Sequence, residues 1–380
     1  MQLGKVVMPG LINTHSHIPM SIFRETLDGY NLQDWLTKKI WPMEDKLTEE
    51  DIYYASYLSF IEMIKTGTTT VNDMYSMAES IIKAMQETGV RLQTTRTLMD
   101  IAGEADGEKR LIELEDLIKN YNNIDKKLTL NIGIHGLYTN TTSYVEKSIK
   151  VAEKYNLPIH IHFCENAGEL EDIKKIHNKS AVELLKEKFK NNKLILAHCV
   201  KLTKNDIKEI KDMNISVSHC PVSNLKLGCG IADIDEMLKN NINVTLGTDG
   251  QGSGSSLDMF ETMKFTALLQ KGINENPALL PAYEVLKMAT INGAKALGLE
   301  EVIGTIEEGK SADIIILNID EATIKPVNNL LSEIVYNVKG NNVETTIVDG
   351  KVLMKDRKLV GINEEKIYEM CEKIIKRIET

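Results

Sequence analysis

Two histidines separated by one residue, His15 and His17, lie in the apolar run 7–17, VMPGLINTHSH. On a β-strand, side chains two residues apart point to the same face. At a rise of about 3.3 Å per residue their Cα atoms lie roughly 6.6 Å apart, a span that two ring nitrogens can close onto one ion at about 2.0–2.1 Å each. The pair therefore predicts two ligands of a metal site, although two polar strand residues would show the same spacing.

Three later apolar runs, rich in β-branched residues, also end in His, Glu or Asp. They are Pro158–Glu165, Leu194–His198 and Val244–Gly250. The C-terminal ends of parallel strands meet at one edge of a sheet or barrel, so these side chains should converge. Any one of them alone could be a hydrogen-bonded core residue, but together they indicate one site. His160, one step deeper on the face of His162, is expected to be a buried hydrogen-bonded residue instead of a ligand.

The elements that position these residues follow a repeating pattern of strand and helix. Amphipathic stretches at 50–65, 142–155, 203–213 and 234–240 have apolar residues at three- and four-residue steps. Eight alternations predict an α/β fold of the (β/α)8 TIM-barrel type, with its functional groups at the C-terminal strand ends. The eight predicted strands are 5–14, 68–74, 90–99, 128–135, 158–164, 194–199, 214–219 and 243–249.

The chain divides into a predicted barrel over residues 1–300, a small flanking β domain over 301–362 and a C-terminal helix over 363–380. The segment after residue 300 contains strands and turns without intervening helices, which is typical of part of a β-sandwich. Within the barrel, Ile18–Thr66 is too long for a simple connection and is expected to cover the barrel mouth.

The composition excludes several classes of partner. The formal net charge is −10 and aromatic residues make up 5% of the 380 residues, which argues against a nucleic-acid-binding surface. The five cysteines have no framework spacing and are expected to be free thiols of a cytoplasmic protein. The sequence has no apolar run of about 20 residues and no signal-peptide pattern, so no membrane association is expected.

Four segments in combination resemble the amidohydrolase superfamily, in its 5-methylthioadenosine/S-adenosylhomocysteine deaminase branch. They are Pro9–His17, Leu196–Val200, Ser218–Leu227 and Leu246–Gly250. The resemblance runs nearly end to end, and it implies a flanking β-sandwich whose N-terminal strands are missing here. We therefore expect the C-terminal strands to lack these partners and to expose edges, which favours aggregation or modest stability.

The resemblance implies one divalent metal ion per chain, Zn²⁺ with Fe²⁺ as the alternative. The implied ligands are His15, His17, His162 and Asp249. The fourth strand ends in His135, where binuclear relatives carry a bridging lysine or glutamate, so a single ion is favoured. The implied catalytic residues are Glu165 as proton shuttle, His198 beside the attacking water and Asp249 as proton acceptor and donor.

The same resemblance assigns substrate contacts to residues scattered along the chain. Glu44 would accept hydrogen bonds from ribose hydroxyls, His135 would donate to a purine, and Trp35 would wall the pocket. Arg96 and Arg110 would meet the carboxylate of S-adenosylhomocysteine, although Lys109 competes with Arg110 for this role. Packing alone would also explain Trp35, and a solvated surface position would explain Arg110.

These expectations together predict a hydrolytic deaminase of 5′-modified adenine nucleosides that forms a homo-oligomer. Glu165 and Asp249 would also contact the substrate. One alternative is a relative that acts on guanine, cytosine or a triazine, since such enzymes share the metal motif. A second alternative is a metal-binding homologue without activity, which the presence of both Glu165 and His198 disfavours.

Overall fold

The computed structural model describes residues 4–25, 29–122 and 124–379. The first three residues, on which the expectation about a signal peptide partly rests, lie outside these ranges. The strands are β1 (Lys5–Pro9), β2 (Leu11–Ser16), β3 (Thr68–Asp73), β4 (Arg91–Thr94), β5 (Leu128–Leu130), β6 (Ile132–Gly136), β7 (Ile159–Phe163), β8 (Leu194–His198), β9 (Ile215–His219), β10 (Asn243–Leu246), β11 (Ile314–Asn318), β12 (Val343–Val348), β13 (Lys351–Lys355) and β14 (Lys358–Leu359).

The α-helices are α1 (Leu32–Trp35), α2 (Trp41–Glu44), α3 (Glu49–Thr66), α4 (Ala78–Thr88), α5 (Glu104–Tyr121), α6 (Thr142–Tyr155), α7 (Ala167–His177), α8 (Ala181–Lys188), α9 (Lys204–Ile210), α10 (Pro221–Lys226), α11 (Ile234–Lys239), α12 (Gln251–Gly254), α13 (Met259–Ile273), α14 (Ala282–Met288), α15 (Ile291–Leu297), α16 (Leu330–Tyr336) and α17 (Glu364–Ile378). The predicted helix over 142–155 matches α6. The helix predicted from residue 203 begins one residue later, because the Thr203 side chain accepts the Asp206 N–H as a helix cap. None of the described helices is long and apolar enough to cross a membrane.

Eight predicted runs form the parallel barrel, in the orders β2-β3-β4-β5 and β6-β7-β8-β9-β10. β5 and β6 are two parts of one predicted strand, interrupted at Asn131. Leu98 connects the two sheets, since its N–H donates to the Gly133 carbonyl at 2.7 Å and its carbonyl accepts the His135 N–H at 3.0 Å. At the other edge, the Asp249 N–H donates to the His15 carbonyl at 3.0 Å. These contacts join the sheets into the predicted (β/α)8 barrel.

The predicted strand over 5–14 is in fact two strands, separated at Gly10. β1 pairs antiparallel with β11, with Lys5 opposite Asn318, whereas β2 pairs parallel with β3 in the barrel. A Cβ atom at Gly10 would lie 2.1 Å from Thr69 Oγ1, so only glycine permits this close approach. Lys5–Pro9 therefore belongs to the flanking sheet, and not to the barrel as the first predicted strand implied.

The flanking sheet has the order β1-β11-β12-β13-β14. The expectation that the C-terminal strands lack an N-terminal partner is therefore wrong for β11, which β1 covers along one edge. Helix α17 lies within the predicted C-terminal segment 363–380 and packs against α3. There the Cys371 thiol donates to the Tyr54 carbonyl at 3.5 Å, and Arg377 pairs with Asp51.

A buried ion pair joins the barrel to the flanking sheet. Arg91 on β4 donates from Nε and Nη2 to the two carboxylate oxygens of Asp313, each at 3.0 Å. Both side chains are 2% exposed. Asp313 Oδ1 also accepts the Asp349 N–H at 2.8 Å, so the carboxylate is well hydrogen-bonded in its buried position. Such a geometry offsets the cost of removing both charges from water.

We expect Arg91→Met to lower the free energy of unfolding by about 3–5 kcal/mol, because it leaves the Asp313 charge buried without its partner. Denaturant titration followed by circular dichroism measures this loss. Lys126→Met is the matched control, since Lys126 pairs with Asp349 at the same junction but is 73% exposed. That change should cost at most about 1 kcal/mol. Equal effects of the two substitutions would contradict the role assigned to burial.

Candidate active site

The closure of the barrel places His15 and His17 beside Asp249. Nε2 of His15 lies 3.4 Å from Asp249 Oδ1, and Nε2 of His17 lies 3.2 Å from the same oxygen. His162, near the end of β7, brings its Nε2 to 3.2 Å from Nε2 of His17. His15, His162 and Asp249 are buried, and His17 is partly exposed. The structure thus brings the four predicted ligands together.

This donor set fits a divalent cation. Four ligand atoms placed tetrahedrally at about 2.0–2.1 Å from zinc are about 3.3 Å apart, close to the separations observed here. Nε2 of His15 is buried and, apart from the Asp249 oxygen 3.4 Å away, has no hydrogen-bond partner within the described part of the chain. The ligand atoms of His15, His198 and Asp249 also lie within 4.8 Å of one another, so His198 borders the same cluster.

The distal nitrogens of these imidazoles are held by hydrogen bonds. Nδ1 of His17 donates to the Met74 carbonyl and Nδ1 of His162 to the His135 carbonyl, each at 2.6 Å. Such bonds fix the ring orientation and leave Nε2 free to coordinate a metal. Nδ1 of His15 lies 2.9 Å from Nε2 of His160, which is fully buried. His160 is therefore a hydrogen-bonded residue behind the cluster, as expected.

Two serine hydroxyls orient the Asp249 carboxylate. Ser223 Oγ and Ser253 Oγ donate to Oδ2 at 2.6 Å and 2.8 Å, which leaves Oδ1 directed toward His15 and His17. Burial raises the pKa of Asp249, but hydrogen bonds and charge from the two histidines outweigh it and hold the pKa well below its ordinary value. Asp249 is thus a carboxylate aimed at the histidine cluster.

Glu165 and His198 lie next to each other beside the cluster. Glu165 Oε2 lies 3.8 Å from His198 Nε2, and Oε1 accepts the Cys229 thiol at 3.6 Å. Nδ1 of His198 lies 2.9 Å from Oδ1 of Asn224, which fixes the ring. Burial raises the pKa of Glu165. Its carboxyl therefore holds a proton more readily than a solvated one, as a proton-transfer group requires.

A cavity of about 920 Å³ opens over this cluster. Its lining includes every predicted site residue except His15. These residues are His17, Trp35, Glu44, Arg96, Arg110, His135, His162, Glu165, His198 and Asp249. The long connection after β2 thus contributes Trp35 and Glu44 to the cavity, which agrees with the expectation that it covers the barrel mouth.

Glu44 and His135 are both held in place by a neighbouring hydroxyl group. The Tyr75 hydroxyl donates to Glu44 Oε1 at 2.5 Å, and burial raises the pKa of Glu44. Nδ1 of His135 lies 3.1 Å from Thr139 Oγ1, and burial lowers the pKa of His135 to about 3. His135 is therefore neutral and can take part in hydrogen bonds to an uncharged ring.

Arg96 and Arg110 lie at the cavity but are already paired with acids. Arg96 Nε donates to Glu113 Oε2 at 2.7 Å, and Arg110 Nε donates to Asp106 Oδ2 at 2.5 Å. Nη1 of Arg110 is buried and has no hydrogen-bond partner among residues 4–25, 29–122 and 124–379. Lys109 is 72% exposed and lies 3.7 Å from Glu113. The arginines therefore keep some donors for a ligand, next to acids that were not anticipated.

Sequence reasoning missed several residues that support the site. Tyr75 orients Glu44, Asn224 orients His198, and Ser223 and Ser253 orient Asp249. Ser223 and Asn224 lie inside a quoted motif, and Tyr75 follows the end of β3, so a search for polar residues near strand ends could have found them.

Both the sequence and the fold match known proteins. The Amidohydrolase family model matches residues 6–353. The chain belongs to this family. It is 43% identical over 97% of its length to the 5′-deoxyadenosine deaminase of Methanococcus vannielii, covering 87% of that protein. It is 42% identical over 97% of its length to the 5-methylthioadenosine/S-adenosylhomocysteine deaminase of Caldanaerobacter subterraneus, covering 86% of that protein.

A solved structure shares the whole architecture. The adenosine deaminase of Xanthomonas campestris, crystallised with bound zinc, has a TM-score of 0.93 at 29% identity, covering 99% of this chain and 86% of that one. Membership of the Amidohydrolase family and the histidine-rich cluster together support a divalent metal at this site. The two deaminase relatives support the branch of the family to which the sequence motifs pointed.

Proposed function

We propose that this chain is a metal-dependent hydrolase that deaminates 5′-modified adenine nucleosides. Water replaces the 6-amino group, and the products are the inosine analogue and ammonia. The observation that carries the proposal is the cavity that combines the histidine cluster, the buried Glu165 and the paired Glu44 and Tyr75. The deaminase names of relatives at 42–43% identity point to the same reaction.

We infer that His15, His17, His162 and Asp249 would hold one ion per chain, with Zn²⁺ favoured and Fe²⁺ as the alternative. Three neutral imidazoles and one carboxylate, with space on the cavity side, are typical of a catalytic zinc site. The chemistry that such an ion would supply is the activation of water, whose pKa it lowers to about 7.

The residues around the ion would carry the protons of the reaction. Asp249 takes a proton from the attacking water and passes it to the departing amine, while His198 orients that water. Glu165 protonates the ring nitrogen beside the carbon under attack, a role that its raised pKa supports. The water adds to the ring carbon, the bond from that carbon to the amino nitrogen breaks as the added hydroxyl becomes a carbonyl, and ammonia leaves. The remaining proton of that hydroxyl replaces the one that Glu165 gave to the ring nitrogen.

The cavity walls would select a nucleoside. Glu44 accepts hydrogen bonds from the ribose hydroxyls, a pairing suited to one carboxylate and two neighbouring donors. His135 contacts the purine, and Trp35, which is 4% exposed, both packs in the core and forms part of the pocket. Arg96 and Arg110 would form ion pairs with a carboxylate on the 5′ substituent. Glu113 or Asp106 would form an ion pair with an ammonium group on the same substituent.

We expect the purified protein to convert 5′-deoxyadenosine, 5-methylthioadenosine, S-adenosylhomocysteine or adenosine to the inosine analogue. The ultraviolet spectrum reports the change from adenine to hypoxanthine, and an ammonia assay confirms the stoichiometry. Guanine, cytosine and a triazine are the control substrates. Turnover of these controls alone would favour the alternative heterocycle reaction, and no turnover of any compound by metal-loaded protein would favour a binding role.

We expect elemental analysis to find about one divalent ion per chain. Asp249→Ala should lose most of this ion and the activity, because it removes a ligand and a proton acceptor. Glu165→Gln should keep the ion and lose about 10²–10⁴-fold in turnover, as expected for a positioned acid–base group. Two ions per chain would contradict the single-ion site, and near-parental turnover by Glu165→Gln would contradict its role.

We expect Arg96→Ala to lower kcat/KM for S-adenosylhomocysteine by about 10- to 150-fold, since a charge-assisted hydrogen bond contributes about 1.5–3 kcal/mol. The values for 5-methylthioadenosine and 5′-deoxyadenosine, which have no carboxylate, should remain nearly unchanged. Steady-state kinetics on the three nucleosides measures the difference.

Two controls separate the possible causes of such a result. Lys109→Ala removes a neighbouring positive charge, so a selective loss with this variant would transfer the carboxylate contact to Lys109. Glu44→Ala should weaken all three nucleosides, because they share the ribose hydroxyls. An equal loss on all three nucleosides from Arg96→Ala would instead assign Arg96 to structure.

A further inference from the structure

Glu169 is a buried acid directly behind the proton shuttle. It is 1% exposed, and its two carboxylate oxygens accept separate backbone N–H groups. Oε1 accepts the Cys164 N–H at 2.8 Å, and Oε2 accepts the Glu165 N–H at 2.6 Å. One side chain thus binds the N–H groups of the two successive peptide bonds that lead from the β7 strand end through Cys164 to Glu165.

The backbone at this point needs such support. Cys164 has φ +53°, in the left-handed region that non-glycine residues rarely adopt. A strained conformation of this kind costs of order 1–3 kcal/mol and persists only where the surroundings enforce it. The two hydrogen bonds that the Glu169 carboxylate accepts from the backbone stabilise this turn. They fix the direction in which the Glu165 side chain leaves the backbone.

Glu169 is itself held by its helix. The Glu169 N–H donates to Asn166 Oδ1 at 3.0 Å, which caps the start of α7. A Cβ atom at Gly168 would lie 3.4 Å from Gln33 Oε1, so the connection after β2 packs against this first turn. Burial raises the pKa of Glu169 to about 7, although the N–H groups of Glu165 and Cys164 lower it. Burial therefore disfavours the charged form of Glu169, and the two backbone N–H groups partly compensate for this.

We propose that Glu169 is a positioning residue that orients Glu165 toward His198 and the substrate by holding the Cys164 and Glu165 N–H groups. The inference rests on the proposed function, since it assumes that Glu165 transfers a proton. Glu169 does not line the cavity and would act only through the backbone of Glu165.

The first test is Glu169→Gln, which keeps the side-chain shape but turns one acceptor into an NH2 donor that faces a backbone N–H. We expect kcat to fall about 10- to 100-fold, part of the factor of about 10²–10⁴ for a positioned acid–base group. KM should change by less than about twofold, because losing an interaction that is made only in the transition state lowers kcat and leaves KM nearly unchanged. Metal content and the circular dichroism spectrum should match the parent.

The matched control is Glu171→Gln, which changes an exposed residue on the same helix and should leave kcat unchanged.

The deciding test is a double-mutant cycle with Glu165→Gln. If Glu169 acts through Glu165, adding Glu169→Gln to Glu165→Gln should lower kcat by less than about twofold, because residues that act as a unit are non-additive. A further loss as large as in the parent background would show a general structural role and overturn the proposal. If Glu169→Gln does not fold, Glu169→Asp serves in the same cycle, since its shorter side chain cannot reach both N–H groups.

The outcomes separate this proposal from the proposed function. A parent protein that deaminates no nucleoside, or a Glu165→Gln variant with parental kcat, overturns the reaction or the shuttle, and with it this inference. An active parent with additive effects overturns the role of Glu169 alone. Parental kcat in Glu169→Gln would do the same.

Discussion

The site depends on the closure of the barrel between its last and first strands. The hydrogen bond from the Asp249 N–H to the His15 carbonyl joins residues far apart in the chain and sets the carboxylate beside His15 and His17. His162 reaches the same point from β7, on the other side of the barrel. Without closure the carboxylate would lie at a free sheet edge, and the donor set for a cation would not exist.

The interior beneath the histidine cluster is polar, which is unusual for a protein core. Thr14 Oγ1 lies 2.7 Å from Ser218 Oγ and 2.6 Å from Thr245 Oγ1, and Asn72 reaches His160 at 3.2 Å. Buried polar groups are costly unless they are paired, but a satisfied network fixes a single arrangement. His160 in turn lies 2.9 Å from Nδ1 of His15. The polar groups that fill the barrel therefore also orient a predicted metal ligand.

Left-handed backbone occurs at three of the strand ends where the chemistry would occur. Cys164, His198 and Asp249 have φ values of +53°, +75° and +63°, each at or just past a strand end. A strand that continued straight would carry these side chains away from the axis, whereas the left-handed turn keeps them over the barrel mouth. The strain is offset by local hydrogen bonds, such as the two that Glu169 accepts from the backbone and the two that Asp249 accepts from serines.

The eight-strand pattern, the helix periodicity and the residue types at the strand ends could be predicted from the sequence, because they depend on local alternation and on His, Glu and Asp following apolar runs. Other features arise only when the elements pack. Gly10 divides one apolar run between two sheets, because Thr69 approaches it too closely for any side chain. Arg96 meets Glu113, and Glu169 holds Glu165, because helices bring those acids to the strand ends. Such pairings depend on distances that arise only when the elements pack, so they are not encoded in the spacing along the chain.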